Sequence, residues 1–133
     1  MFIGYKNNSA AEYKNTKLGG LYMNEKKQFV YFLKLIPRLL DQDAWTEEEN
    51  DKVERHFVKL QGLLSEGKLV LAGRTLNMDS KGCGIVILEV ETEEEARFLM
   101  ESDPAVKEGI MTAELFPYRV ALIRNTDSNI IER

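Results

Sequence analysis

The sequence Thr-Glu-Glu-Glu occurs twice, beginning at Thr46 and again at Thr92, and it sets the order in which the chain can build its elements. In this capping box the threonine caps the first turn of a helix and the last glutamate bonds back to the threonine N–H. A run of β-branched and aromatic residues precedes each motif, at residues 28–36 and 85–91, and such runs favour strands. Each motif therefore marks a strand followed by a helix.

The remaining signals complete the order β-α-β-β-α-β. Residues 68–76 are the second predicted strand, after a first helix that ends near Gly67. A polar, glycine-containing turn at residues 77–84 leads into the third strand. The last predicted strand is residues 112–123, in which Pro117 marks a bulge or an edge position. This order predicts an α+β, ferredoxin-like fold, in which an antiparallel sheet carries two helices on one face.

The predicted strands are apolar on both of their faces. In strand one, for example, Tyr31 and Leu33 alternate with Val30 and Phe32. In a lone two-layer domain the helix-free face would be polar, so this face needs a cover. We expect a homodimer through the helix-free sheet face, because the same face of a second copy is the economical cover. A loop folding back is the weaker alternative, since residues 38–45 are few and charged.

Composition limits the class of protein. A chain of 133 residues is most simply one domain, and its single cysteine, Cys83, cannot form an intrachain disulfide. We expect a cytoplasmic protein with Cys83 in no catalytic role. No apolar run is long enough to span a membrane, and the basic residues are scattered, so neither a membrane nor a nucleic acid is an expected partner. Metal motifs and phosphate-binding loops are missing from the sequence, so we expect no cofactor.

The ends of the chain differ from its centre. Residues 1–22 are rich in Asn, Lys and Gly and show no hydrophobic period, whereas residues 23–27 resemble an ordinary amino terminus. We interpret residues 1–22 as a flexible leader. It either precedes a native start at Met23 or forms a plain amino-terminal tail. The α+β domain then spans residues 23–125, followed by a polar tail at 126–133.

His56 is the only histidine of the chain, and helical spacing places it beside an apolar stripe. Together with Leu63 it falls on the edge of that stripe. The stripe consists of Val53, Phe57, Leu60 and Leu64. Histidine gives and takes protons near neutral pH without any perturbation. His56 is therefore either a hydrogen-bonded core side chain or a catalytic or ligand-gripping group.

Asp103, followed by Pro104, is the second candidate for chemistry. Asp at the N-cap with Pro at the first helical position predicts a short helix, which ends near Gly109. The functional interpretation is a carboxylate that binds a ring nitrogen of His56, fixes its tautomer and raises its basicity. Both roles can coexist, because a carboxylate has lone pairs for a backbone N–H and for an imidazole.

These residues, in this order and spacing, resemble the YciI-like (YCII-related domain) family over about residues 28–122. The resemblance is carried by a helical His56, Gly67, Leu71-Ala72-Gly73, the glutamate-capped second helix, Asp103-Pro104 and Gly109. It implies a dimeric α+β barrel of ferredoxin-like protomers. It also implies a pocket lined by a histidine and an aspartate that act as the active-site pair, which map onto His56 and Asp103.

The resemblance further implies lyase- or hydrolase-type action on small cyclic compounds, and proton transfer by a His-Asp pair would also support isomerisation. Two departures affect the pocket: Arg74 stands where the family often has Pro, and Ala105 stands where a bulky aromatic residue usually follows Asp-Pro. The substrate of relatives is therefore not carried over. Near a pocket, Arg74 would favour a carboxylate or phenolate ligand, and its alternative is a solvent-facing arginine at a strand end. Tyr31 and Tyr118 are candidates for binding substrate, for the dimer face, or for the core with a tethered hydroxyl.

Two functions are compatible with these residues. The first is a metal-independent enzyme that uses a His-Asp pair, His56 and Asp103, for proton transfer on a small cyclic or anionic substrate. The second is a non-catalytic dimeric module that binds a metabolite or a partner. Geometry discriminates between them, because catalysis needs one ring nitrogen on the carboxylate and the other accessible in a cavity.

Overall fold

The computed structural model describes residues 15–18, 21–24 and 26–124. Within these residues no helix is both long and apolar enough to cross a membrane. The strands are β1 (Asn15–Leu18), β2 (Leu21–Asn24), β3 (Lys27–Leu35), β4 (Leu69–Arg74), β5 (Gly84–Val90) and β6 (Met111–Tyr118). The helices are α1 (Glu47–Ser65), α2 (Glu93–Glu101) and α3 (Pro104–Lys107), and two 3₁₀ turns span Pro37–Leu40 and Gln42–Ala44.

Four of the strands form an antiparallel sheet in the order β4-β5-β3-β6. Strand β3 pairs with both β5 and β6, so the first strand of the domain lies between its third and fourth strands. This is the strand order of the predicted β-α-β-β-α-β, ferredoxin-like arrangement, and the α+β fold is confirmed. The central position of β3 matters for function, because side chains on a central strand are fixed by neighbours on both sides.

The last strand is shorter than the sequence predicted. It ends at Tyr118 rather than at residue 123. Pro117, which pairs with Phe29, has no N–H to give to the ladder. Just beyond the strand, the Val120 N–H donates instead to the side-chain Oε1 of Gln28, at 2.7 Å. A side-chain oxygen thus takes the place of a backbone carbonyl as acceptor where the chain leaves the sheet.

Before the domain, β1 and β2 pair antiparallel with each other and form a sheet of their own. The sequences of the two strands show no strand pattern. The one sequence signal is Gly19-Gly20 between them, a dipeptide typical of hairpins. The rest of the predicted leader and the tail after residue 124 lie outside the described residues. The interpretation of residues 1–22 as a leader therefore stays a prediction.

Both long helices cover one face of the four-stranded sheet. The core residues on this face are Phe29, Tyr31 and Leu33 of β3, Val86, Leu88 and Val90 of β5, and Leu60, Leu63, Ala96, Leu99 and Met100 of the helices. They alternate along β3 and β5 as the sequence predicted. The intervening residues of these strands form the opposite, helix-free face.

Helix α1 buries a different stripe from the one predicted. Phe57 is 59% exposed, whereas Leu60 and Leu63 are 6% and 4% exposed. Together with His56, these two leucines lie at positions i, i+4 and i+7. Side chains at these positions form one narrow stripe along a helix, which is called the seam here. The seam faces inward because α1 packs between β4 and α3. His56 is therefore in the buried face of its helix rather than at its edge.

The start of α1 is held by the predicted capping box. The Thr46 N–H donates to Glu49 Oε1 at 2.7 Å, and the Arg38 guanidinium donates to Glu49 Oε2 at 2.6 Å. Glu49 is 7% exposed. The hydrogen bond from Arg38 and then those from Thr46 lower the pKa of Glu49 to about 2. This carboxylate ties the 3₁₀ turn after β3 to the helix that carries His56.

Glu49 should make stability depend on pH in the acid range. Its folded pKa lies below its ordinary value of 4.5, so its contribution is complete above pH 4.5 and is lost as pH falls toward about 2. In urea denaturation, we expect Glu49→Gln to cost stability at neutral pH and to cost progressively less as pH falls through this range. The exposed Glu47→Gln is the matched control and should show a small, pH-independent effect. A constant cost for Glu49→Gln would contradict this role.

Candidate functional site

The carboxylate of Asp103 is built into the start of α3. Asp103 is the N-cap, with extended backbone angles, and its Oδ1 accepts the Ala105 N–H at 3.0 Å. Pro104 follows at the first helical position, where its fixed φ favours the helix and its missing N–H is not needed. Asp103 is fully buried. A buried carboxylate requires several hydrogen-bond donors, and the fold supplies them.

His56 of α1 provides one of these donors. Its Nδ1 lies 2.7 Å from Asp103 Oδ1 and 2.9 Å from Oδ2. The structure thus has the contact between these two residues that the sequence predicted. An ionised carboxylate only accepts, so the proton belongs on Nδ1, and the neutral ring carries its lone pair on Nε2. This tautomer follows from the hydrogen-bond network.

Tyr31 of β3 provides another donor. Its hydroxyl donates to Asp103 Oδ2 at 3.0 Å, and the residue is fully buried. Burial, and then the neighbouring Asp103 charge, raise the pKa of Tyr31 well above its ordinary value. The hydroxyl therefore remains protonated and acts as a fixed donor. Tyr31 contacts the carboxylate rather than an open surface.

The second ring nitrogen of His56, Nε2, is not occupied by the carboxylate. Across the part of the chain that the structure describes, no hydrogen bond involves Nε2. The side chain of His56 is 13% exposed, whereas that of Asp103 is not exposed at all. The ring therefore lies between a fully buried carboxylate and the surface of the protein. Such a pair can take a proton at Nε2 and return it.

A surface ion pair holds α1 against α3 next to this contact. Arg55 precedes His56, and its guanidinium donates to both carboxylate oxygens of Glu108, with Nη2 at 2.8 Å from Oε1. One turn later, Lys59 Nζ donates to Ser102 Oγ at 3.0 Å. The sequence did not predict these contacts. Arg55 and Lys59 lie at positions i−1 and i+3 relative to His56. Their spacing indicates these contacts only once the position of α3 relative to α1 is known.

Arg74 lies on the same side of the sheet as His56. It pairs with Gly84, which pairs with Leu33, and Leu33 belongs to the helix-covered core. A Cβ added at Gly84 would meet Leu33 at 3.5 Å, which agrees with this face. Arg74 is exposed at the end of edge strand β4, and its guanidinium contacts only the Thr75 carbonyl, at 3.4 Å, among the described residues.

Tyr118 lies apart from this site. It pairs with Gln28 and shares the helix-free face with Phe116, which stacks edge-on against Phe32 with ring centroids 5.8 Å apart. Tyr118 is 40% exposed there. Of the predicted site residues, the structure joins His56, Asp103 and Tyr31 by direct contact. It places Arg74 on their side of the sheet and Tyr118 on the other.

No group of three or more His, Cys, Asp or Glu side chains that could hold a metal ion occurs among residues 15–18, 21–24 and 26–124. Cys83 is free and half-buried, in the turn between β4 and β5.

The family model for the YCII-related domain matches residues 21–118 of the chain. The resemblance inferred from the sequence is thereby confirmed. No curated protein matches the chain.

Two solved structures align with most of the chain. The 5-chloro-2-hydroxyhydroquinone dehydrochlorinase (TftG) of Burkholderia phenoliruptrix AC1100, in complex with 2,5-dihydroxybenzoquinone, is 23% identical and has a TM-score of 0.53; the alignment covers 69% of this chain and 93% of that one. The cofactor-independent oxygenase SnoaB of Streptomyces nogalater is 14% identical, with a TM-score of 0.38 and coverage of 75% and 99%. The likeness to the dehydrochlorinase, at this identity, concerns the fold alone.

Removing the Asp103 carboxylate should destabilise the fold strongly. Asp103→Ala deletes an N-cap and leaves buried donors unpaired, so we expect a loss of about 3 kcal/mol in the free energy of unfolding. Asp41 also caps a short helical turn, accepting the Asp43 N–H at 2.9 Å, but at an exposed position. Asp41→Ala is therefore the matched control, with an expected loss below about 1 kcal/mol. Equal losses in urea denaturation would contradict the supporting role of the buried contacts.

Proposed function

The chain belongs to the YCII-related domain family, and we propose that it is a small-molecule enzyme whose His56–Asp103 pair transfers protons. One observation carries the proposal. His56 Nδ1 lies 2.7 Å from a fully buried carboxylate, while no described residue bonds its Nε2.

Each residue of the pair has a distinct task in this proposal. Asp103 accepts the Nδ1 proton, holds the tautomer and stabilises the imidazolium that forms when the ring takes a second proton. His56 Nε2 acts first as a general base and then as a general acid. In an elimination, Nε2 takes a proton from the substrate, the released electron pair forms the new double bond, and the leaving group departs with its own pair. Isomerisation and hydrolysis require the same two proton movements.

For the substrate we propose a small cyclic or anionic compound. The dehydrochlorinase with the same fold acts, by its name, on a chlorinated hydroxyhydroquinone and is bound to a dihydroxybenzoquinone. Loss of hydrogen chloride from such a ring is a proton-transfer elimination, which suits a His-Asp pair. Phenolic rings of this kind are weak acids, so a cation near the pocket would favour their ionised form.

Arg74 is the proposed source of that cation, because it lies on the helix side of the sheet and its guanidinium is exposed. We expect Arg74→Gln to raise KM for an anionic ring substrate by about tenfold while kcat changes little, since binding rather than proton transfer is weakened. Arg97, paired with Glu93 on the outside of α2, gives the control Arg97→Gln. An unchanged KM in Arg74→Gln would remove Arg74 from the binding site.

His56→Gln tests the proton transfer itself. The assay is turnover of hydroxylated and chlorinated ring compounds, beginning with 5-chloro-2-hydroxyhydroquinone. We expect kcat/KM to fall by about 100-fold or more, the scale of general acid–base catalysis. The control is Glu54→Gln, on the exposed face of α1. Unimpaired turnover by His56→Gln would contradict the proposal. Equal binding by both proteins without turnover in either would favour the non-catalytic binding module.

We also propose that the protein is a homodimer through its helix-free sheet face. Four large side chains on that face are exposed, namely Phe32 at 37%, Tyr118 at 40%, Phe116 at 43% and Leu71 at 47%. Leu71 pairs with Ile87, Ile87 with Val30, and Val30 with Phe116, and the Phe32 ring packs edge-on against that of Phe116. A contiguous apolar patch on a sheet is characteristic of an interface, and two copies can cover each other's patch around a two-fold axis.

A charge on this face should separate the subunits. We expect Phe32→Glu to sediment as a folded monomer at micromolar concentration, because dimerisation would bury the new carboxylate unpaired. Phe57→Glu places the same charge at an exposed position of α1 and should leave the wild-type dimer intact. A Phe32→Glu protein that sediments as a dimer, or a wild-type protein that sediments as a monomer, would contradict this interface.

A further inference from the structure

We infer that Tyr31 is a positioning residue of the His56–Asp103 pair, acting on the imidazole through the carboxylate. The inference rests on the proposed function of that pair. The hydroxyl of Tyr31 donates to Asp103 Oδ2 at 3.0 Å, and no surface of the tyrosine is exposed. It therefore reaches substrate only through the two residues that it supports.

The geometry around Asp103 fixes the plane of its carboxylate. Its two oxygens each have one donor besides His56: Oδ1 accepts the Ala105 N–H and Oδ2 accepts the Tyr31 hydroxyl. Because these two donors lie on different oxygens, together they restrict rotation of the carboxylate about its Cβ–Cγ bond. With the plane fixed, His56 Nδ1 meets both oxygens, at 2.7 and 2.9 Å. The ring is thus held at a set angle over the carboxylate.

The strand that carries Tyr31 makes it a rigid support. The residue pairs with Val86 on one side and Leu115 on the other, at the centre of the sheet. A side chain on a central strand moves less than one on a loop, so it is suited to hold a reactive group in place. Asp103 and His56 lie on two different helical elements. Tyr31 fixes the position of both relative to the sheet, because it bonds Asp103 and Asp103 bonds His56.

The Tyr31 hydroxyl also acts electrostatically. It stabilises the negative charge of Asp103 and draws electron density away from Oδ2. Its loss would leave more of that charge for the imidazolium, so His56 would hold its proton to higher pH. The raised pKa of Tyr31 keeps the hydroxyl a donor throughout such a titration.

Other charged groups around His56 do not make this contact. Arg55 is paired with Glu108 and Lys59 with the Ser102 hydroxyl, while Arg74 lies on β4. Their electrostatic effect on the imidazole is the same in the wild-type and Tyr31→Phe proteins. Phenylalanine fills the same space in the core, so this substitution removes the hydroxyl alone.

The experiment follows the ring signals of His56 by NMR as a function of pH, in the untagged full-length chain, where it is the only histidine. We expect Tyr31→Phe to raise the titration midpoint of the ring by about half a pH unit or more, with the fold retained. The control is Leu88→Val, which perturbs the same buried core without touching the carboxylate. Its midpoint should equal that of the wild-type protein. Equal midpoints in all three proteins would overturn the inference.

A second measurement, made on the wild-type protein, tests the inference if the Tyr31→Phe protein does not fold. In the wild-type protein, the Tyr31 hydroxyl proton should give a slowly exchanging resonance, because it is buried and bonded to a carboxylate. Its absence would overturn the inference. Neither measurement uses a substrate, so turnover by His56→Gln would refute the proposed function while leaving the effect of Tyr31 on the ring to be decided by the titration.

Discussion

A single buried carboxylate organises this protein. Asp103 is fully buried and charged groups are costly to bury, so its position is stable only because three donors from three elements converge on it. The Tyr31 hydroxyl comes from the central strand, the Ala105 N–H from the helix that Asp103 itself caps, and Nδ1 of His56 from the first long helix. The His56 ring is thus joined, through one carboxylate, to both the sheet and α3.

The surrounding fold can be understood as support for that convergence. The split β-α-β-β-α-β order puts β3 at the centre of the sheet, where Tyr31 faces the helices. Glu49 ties the start of α1 to the turn after β3, and Arg55 ties the middle of α1 to the residue after α3. These contacts lie outside the pair and join α1 to the elements on either side of it. The opposite face of the sheet carries the exposed apolar side chains on which the proposed dimer rests.

Much of this could be predicted from sequence because its signals are local. The two Thr-Glu-Glu-Glu motifs predicted the helix starts, although only the motif at Thr46 forms the full capping box and Thr92 caps its helix without the return bond. The alternation of β3 predicted its faces, and Asp-Pro predicted the cap that places Asp103. Three features could not be predicted in this way. The exposure of Phe57 depends on which seam of α1 meets β4 and α3, and periodicity alone does not choose among neighbouring seams. The role of Tyr31 depends on a contact with a residue 72 positions away. The early end of β6 reflects Pro117 and a side-chain acceptor from another strand.

At the centre of the proposed chemistry, Asp103 fixes His56 with its proton on Nδ1 and its lone pair on Nε2, ready to accept a proton from a substrate. The chemical shifts of the two ring nitrogens in ¹⁵N-labelled protein test this most directly, since one histidine gives one pair of signals. In the neutral state we expect a protonated Nδ1 and an unprotonated Nε2. In Asp103→Asn, we expect this preference to be lost. A neutral ring protonated on Nε2 in the wild-type protein would contradict the proposed role of the pair.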